Sequence, residues 1–176
     1  MTGHEPVVAT STIMFTDLVG FTEYTDACGD AAAVDVLDHQ ATIARAALDH
    51  GEGRLVKELG DGLMFWFEHP EAALRSAVVM LDAVDRARDT RAFPLGVRMG
   101  MHCGDVTARG DDFVGRTVNV AARIADLAGP GELLVSDGIV AAITPDRATF
   151  DPVGPVRVKG VAAPIWLHRL ATAQPV

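Results

Sequence analysis

Asp17 closes an apolar, β-branched run, and Asp61 sits between two glycines in Gly60-Asp61-Gly62, so chain geometry exposes both carboxylates. Side chains at such positions can converge above a sheet edge, and two aspartates that share a site stay ionised together only with cations between them. With no His or Cys beside them in sequence, these hard oxygen donors point to Mg²⁺ or Mn²⁺. The same residues have plainer uses: an Asp in Gly-Asp-Gly also forms turns, and an Asp after a strand also caps helices.

Other candidates carry positive charge or an amide. Lys57 precedes Asp61 by four residues inside an otherwise apolar strand, where a lysine must reach an anion or keep its head in water. Asn119 and Arg123 are four apart on a helical stretch, so one face can present an amide and a guanidinium to a single phosphate, or simply be solvated with Asn119 capping the turn. Lys159 lies between a strand and the last segment, an exposed place for any lysine. From residue 95 to 103 the period is two, which sets Arg98 and His102 on the face opposite Leu95, Val97, Met99 and Met101.

The elements that must position these groups follow from periodicity and punctuation. Residues 7–16 read as a first strand, and 30–50 as a helix with Asp30 able to cap it and Gly51 as its stop. Residues 54–59 and 63–67 read as strands joined by the Gly60-Asp61-Gly62 turn, and 71–87 as a helix opened by Pro70. A half-buried strand over 95–103, a turn-rich stretch over 104–115 and a helix over 117–128 come next, the helix stopped by Gly129-Pro130-Gly131. Strands at 132–135, 156–159 and 165–170, with a short helix over 139–143, complete the chain. This order suggests an antiparallel or mixed sheet with helices on one face.

Composition bounds the rest. The chain has 176 residues, 49% hydrophobic and 22% charged, which suits one compact domain rather than a disordered or collagen-like chain. Its formal net charge of −9 argues against nucleic acid as a partner, and a polyanionic substrate would need a basic pocket or bound cations against that background. Two cysteines without a CxxC pair read as a reduced intracellular protein lacking a structural metal, although counting alone leaves a disulfide open. The first residues carry no secretory pattern. The longest apolar stretch, 72–84, is broken by Arg75 and Asp82 and so does not read as a membrane span.

Five ordered segments carry a resemblance: FTDLVGFT (15–22), VKELGDG (56–62), VRMGMHCGDV (97–106), DFVGRTVNVAARI (112–124) and VKGV (158–161). Together they resemble the class III nucleotidyl cyclases from about residue 13 to 170, so that 1–176 reads as a single catalytic domain. The resemblance implies an α+β fold, with a ferredoxin-like βαββαβ core, additional C-terminal elements and helices packed on the sheet. It also implies a head-to-tail homodimer with two composite sites and two divalent cations, Mg²⁺ or Mn²⁺, at each.

Residue by residue, Asp17 and Asp61 resemble the family's metal-binding aspartates and Arg98 an arginine that approaches the substrate phosphates. From the partner chain, Lys57 and Asp112 resemble the adenine-selecting pair, Asn119 and Arg123 the pair that stabilises the transition state, and Lys159 a triphosphate clamp. The spacing of seven residues before Asn119 picks Asp112 over its neighbour Asp111. The implied activity is a cytoplasmic adenylyl cyclase converting ATP to 3′,5′-cyclic AMP and pyrophosphate. A guanylyl or relaxed-specificity cyclase and a non-catalytic nucleotide-binding or dimerisation module are the alternatives. Guanine-selecting members resemble Glu at the Lys57 position with a small residue at Asp112, and non-catalytic ones usually lose the aspartates or the Asn/Arg pair; none of these changes is present.

Overall fold

The computed structural model describes residues 8–48, 52–90, 92–159 and 161–173. Along the chain these form β1 (Val8–Val19), α1 (Phe21–Cys28), α2 (Asp30–Leu48), β2 (Gly53–Leu59), β3 (Gly62–Phe67), α3 (Pro70–Asp89) and β4 (Gly96–Arg109). There follow β5 (Asp112–Val114), α4 (Arg116–Leu127), β6 (Leu133–Ser136), α5 (Asp137–Ala142), β7 (Ala148–Val156) and β8 (Ile165–Ala173). One sheet runs in the order β2-β3-β1-β4-β6-β8-β7, with β5 paired to β4 beside this path. Its first four strands are antiparallel neighbours, and with the intervening helices they make the ferredoxin-like βαββαβ unit. β4 extends past the stretch that alternation marks because β1 pairs along nearly all of it, β6 takes residues 99–101 in parallel, and β5 takes residues 107–109.

Strand alternation sends Met14, Phe65, Phe67, Met99 and Met101 to one face, where α2 and α3 cover them with Val36, Ala44, Ala77 and Met80. Ile13, Met64 and Val106 face the other way, against Phe113 and Ala121. Helices therefore lie on both faces, not on one as the element order suggests. The cause is a gap in β4: a Cβ at Gly100 would stand 2.1 Å from the Ala125 nitrogen, so α4 seats its backbone directly on the strand. Val120, Ala121, Ile124 and Ala125 bury the inner side of α4, leaving Asn119 and Arg123 exposed on the outer one.

Several boundaries differ from the sequence reading for local reasons. α1 buries no residue fully and packs on the core only through the partly buried Phe21 and Tyr24, so its hydrophobic pattern is short. The strand expected at 156–159 is instead β7, which ends at Val156 and holds Pro152 and Pro155. It is an edge strand, where a missing N–H costs no ladder bond. The expected helix end at His50, its Gly51 stop and Gly160 of the VKGV segment lie outside the described residues. His102 lies on β4 with Nδ1 2.7 Å from the buried Ser136 hydroxyl, and burial pushes its pKa down, so this imidazole is part of the packing. Among the described residues, no helix is long and apolar enough to cross a membrane.

The close seat of α4 is testable by denaturant unfolding. Gly100→Ala should lower stability by about 3 kcal/mol, since the added methyl meets helix backbone that cannot rotate away. An unchanged midpoint would contradict this docking.

Candidate active site

The β1–β4 register sets Asp17 directly opposite Arg98. Arg98 donates from Nε at 2.8 Å and from Nη2 to the same Oδ2 of Asp17, and from Nη1 to the Asp126 carbonyl at 3.1 Å. Asp17 thus lies within β1 and is fixed by an arginine; α1 starts after Gly20 without a side-chain cap. Asp61 arrives from the β2–β3 hairpin, where Leu59 pairs with Gly62 and Gly60 takes φ 67°, a left-handed conformation that favours glycine. At Gly62 a Cβ would stand 3.3 Å from the Thr16 carbonyl and 3.5 Å from Asp17 Oδ1, so the glycine lets the hairpin tip close against β1.

Asp61 consequently lies close enough to Asp17 for the two carboxyls to interact. Burial raises the Asp61 pKa, and the Asp17 charge raises it further. An acid weakened by a like-charged neighbour is a site that a cation would relieve. Its donors are carboxylate oxygens alone, which suit Mg²⁺ or Mn²⁺ held by one or two carboxylates with water and substrate oxygens filling the remaining positions. Among the described residues, no group of three or more His, Cys, Asp or Glu gathers to make a closed metal cage.

A second cluster joins β2 to β5. Lys57 Nζ lies 2.7 Å from Asp112 Oδ2, across 55 residues of sequence. Strand alternation would set Lys57 on the same face as Leu55, but the register shifts between them, and Lys57 pairs instead with Met64 of the opposite face. The extra residue re-aims the lysine. Phe113 anchors β5 by stacking on Trp66 at 5.4 Å, with the Arg54 guanidinium 4.9 Å above the Phe113 ring. The hydrogen bond from Lys57 holds Asp112 below its ordinary pKa, helped by the Phe113 N–H on Oδ1.

The third group stands on α4 and beyond it. Gly115 precedes this helix without a side-chain cap, so Asn119 is free of the capping role and stands exposed one turn before Arg123. Arg123 donates to Asp126 Oδ2 at 3.1 Å. Lys159 is exposed, but Val158 beside it is buried in a cluster with Val120 and Ile124, which brings the lysine's backbone up against α4. The structure therefore joins Asp17, Asp61 and Arg98 in one cluster, Lys57 and Asp112 in another, and sets Asn119, Arg123 and Lys159 about α4. Sequence reasoning missed Asp126, whose carbonyl meets Arg98 and whose carboxylate meets Arg123. Its signal was only its place three residues after Arg123.

These groups meet the needs of a polyphosphate substrate: paired carboxylates for cations, guanidinium and ammonium groups for phosphates, and a donor beside an acceptor for a base edge. The adenylate and guanylate cyclase catalytic domain family matches residues 5–171. An uncharacterized protein of Mycobacterium tuberculosis is 34% identical over 168 residues, covering 96% of this chain and 43% of the relative. A pH-sensitive adenylate cyclase of the same species is 30% identical over 166 residues, covering 90% of this chain and 40% of that protein. The chain thus spans less than half the length of these relatives. Among solved structures, the adenylyl cyclase CyaB from P. aeruginosa superposes with a TM-score of 0.88 at 25% identity, covering 97% of this chain and 98% of that one. With the family model matching nearly the whole chain and the fold in agreement, the chain belongs to the class III adenylate and guanylate cyclase catalytic domains.

Proposed function

We propose that this domain is an adenylyl cyclase, closing ATP to 3′,5′-cyclic AMP with release of pyrophosphate at sites shared between two head-to-tail copies of the chain. The observation that carries the choice of base is the Lys57–Asp112 pair, an ammonium hydrogen-bonded to a carboxylate. Adenine offers N1 as an acceptor and the N6 amine as a donor, which match Lys57 and Asp112. Guanine reverses both, facing O6 to the carboxylate and its N1 hydrogen to the ammonium, at roughly 1–3 kcal/mol per mismatch. Both side chains are partly exposed, and such an ion pair is worth about 1 kcal/mol or less, so a purine edge can part them at little cost. The 30% identity to an adenylate cyclase points the same way.

Asp17 and Asp61 would hold Mg²⁺ or Mn²⁺, which when bound makes the ribose 3′-hydroxyl more acidic and offsets the triphosphate charge. Arg98 holds the Asp17 carboxylate in place through its hydrogen bonds, and retains N–H donors for a phosphate oxygen. From the other copy, Arg123 balances the charge that grows on the α-phosphate, Asn119 orients the ribose and Lys159 holds the outer phosphates. The 3′-hydroxyl releases its proton to solvent and its oxygen forms a bond to the α-phosphorus as the bond to the pyrophosphate oxygen breaks, with no covalent enzyme intermediate.

Division of labour between copies has a direct consequence. Asp17→Ala and Lys57→Ala chains should each be inactive, yet a mixture should recover about a quarter of wild-type activity, because a heterodimer regains one intact site of two. A confirmed heterodimer without activity would contradict the shared site. For base choice, Lys57→Glu with Asp112→Gly should shift the ATP/GTP ratio of kcat/KM by about tenfold or more towards GTP. An unchanged ratio would remove the base-selection argument.

A further inference from the structure

Gln40 is a polar residue on the buried side of α2, 5% exposed, beside Ala44 and Met80. A primary amide in such a place is tolerated only where its groups find partners. Its Nε2 donates at 3.1 Å to the backbone carbonyl of Asp61, a bond spanning 21 residues from the middle of a helix to the tip of the β2–β3 hairpin. Nearby, the hydroxyl of Thr16, the residue just before Asp17, is buried with no protein partner. Thr16 and Gln40 line one cavity of about 10 Å³ with Ile43, Leu63 and Val97, close to the volume that seats one water. Behind the paired carboxylates, Gln40 and Thr16 thus set two polar side chains among the apolar ones that line this cavity.

We propose that Gln40 is a positioning residue for the Asp17–Asp61 site. Its amide fastens the hairpin tip to α2, and a water in the cavity joins it to Thr16, so both aspartates are held from behind at the separation a shared cation requires. The hairpin tip needs this hold. Gly60 adds conformational freedom and Gly62 has no side chain to pack. Gln40 touches no reacting atom, and its effect is on cation affinity rather than on base choice or phosphate contacts. The proposal rests on Asp17 and Asp61 being the cation ligands.

The test compares wild-type protein with Gln40→Met, which keeps the length but loses the donor, and Gln40→His, which keeps a donor. Gln40→Asn, one methylene short, replaces Gln40→Met should that variant fail to fold. Hydrogen exchange in metal-free protein is read at the hairpin tip, residues 59–62, against β4 and α3. Gln40→Met should exchange about tenfold faster at the tip alone, and Gln40→His should restore much of the protection. Mn²⁺ binding, followed by the electron paramagnetic resonance of free ion, should weaken several-fold, by about 5-fold, while KM for ATP at saturating Mn²⁺ changes less than about twofold. Tip exchange equal to wild type, exchange accelerated evenly through the sheet, or unchanged Mn²⁺ affinity would each overturn the proposal. Wild-type protein that binds no Mn²⁺ overturns the cation reading itself, an outcome the wild-type arm alone reveals.

Discussion

Two carboxylates of like charge at one end of a sheet repel each other, and much of this domain is arranged so that Asp17 and Asp61 nevertheless stay together. The antiparallel β1–β4 register sets Arg98 opposite Asp17 and supplies the compensating charge. The hairpin brings Asp61 across only because Gly60 takes a left-handed turn and Gly62 leaves room beside the Thr16 carbonyl. The Asp61 carboxyl keeps a raised pKa, first from burial and then from the Asp17 charge. In a chain of net charge −9, an ATP molecule would meet further repulsion at the same place, and divalent cations answer both problems at once.

The other functional groups are held by packing and lightly by charge. Phe113 on Trp66 fixes β5, and through it Asp112; the inner side of α4 fixes the direction of Asn119 and Arg123; Val158 in the same cluster fixes the backbone at Lys159. Their own ion pairs are exposed or nearly so, and contribute little to folding. This division is useful chemically, because an apolar scaffold keeps each polar head in place while leaving it free to exchange a weak partner for a substrate. Asp126 touches Arg98 through its carbonyl and Arg123 through its carboxylate, which links the cation cluster to the outer face of α4 within one chain.

Sequence periodicity reveals the parts whose burial is one-sided. The hairpin around Asp61, the helix with Asn119 and Arg123, and the alternation of β4 were legible because apolar spacing and glycine punctuation coincide there. α1 was not, since it buries no residue fully, nor was β7, whose prolines are tolerated because it is an edge. The second helical layer was hidden for a different reason: Gly100 reads as a small residue in a strand, and only the three-dimensional approach of Ala125 shows it to be a docking seat. Lys57 was legible as a residue out of place, but the bulge that turns it toward Asp112 was not, and Gln40 reads as one polar residue on an amphipathic helix until its bond to Asp61 is seen.

The central claim is metal-dependent cyclisation of ATP by this domain. The most direct measurement is formation of cyclic nucleotide and pyrophosphate from ATP and, separately, from GTP, with Mg²⁺ or Mn²⁺, at protein concentrations that favour the dimer, with Asp17→Ala as the blank. Cyclic AMP and pyrophosphate in equal amounts, lost without the cation and in the blank, with GTP much the poorer substrate, is the predicted result. Cyclic GMP as the main product would contradict the assignment of Lys57 and Asp112, and no product from either nucleotide in a confirmed dimer would contradict the catalytic reading altogether.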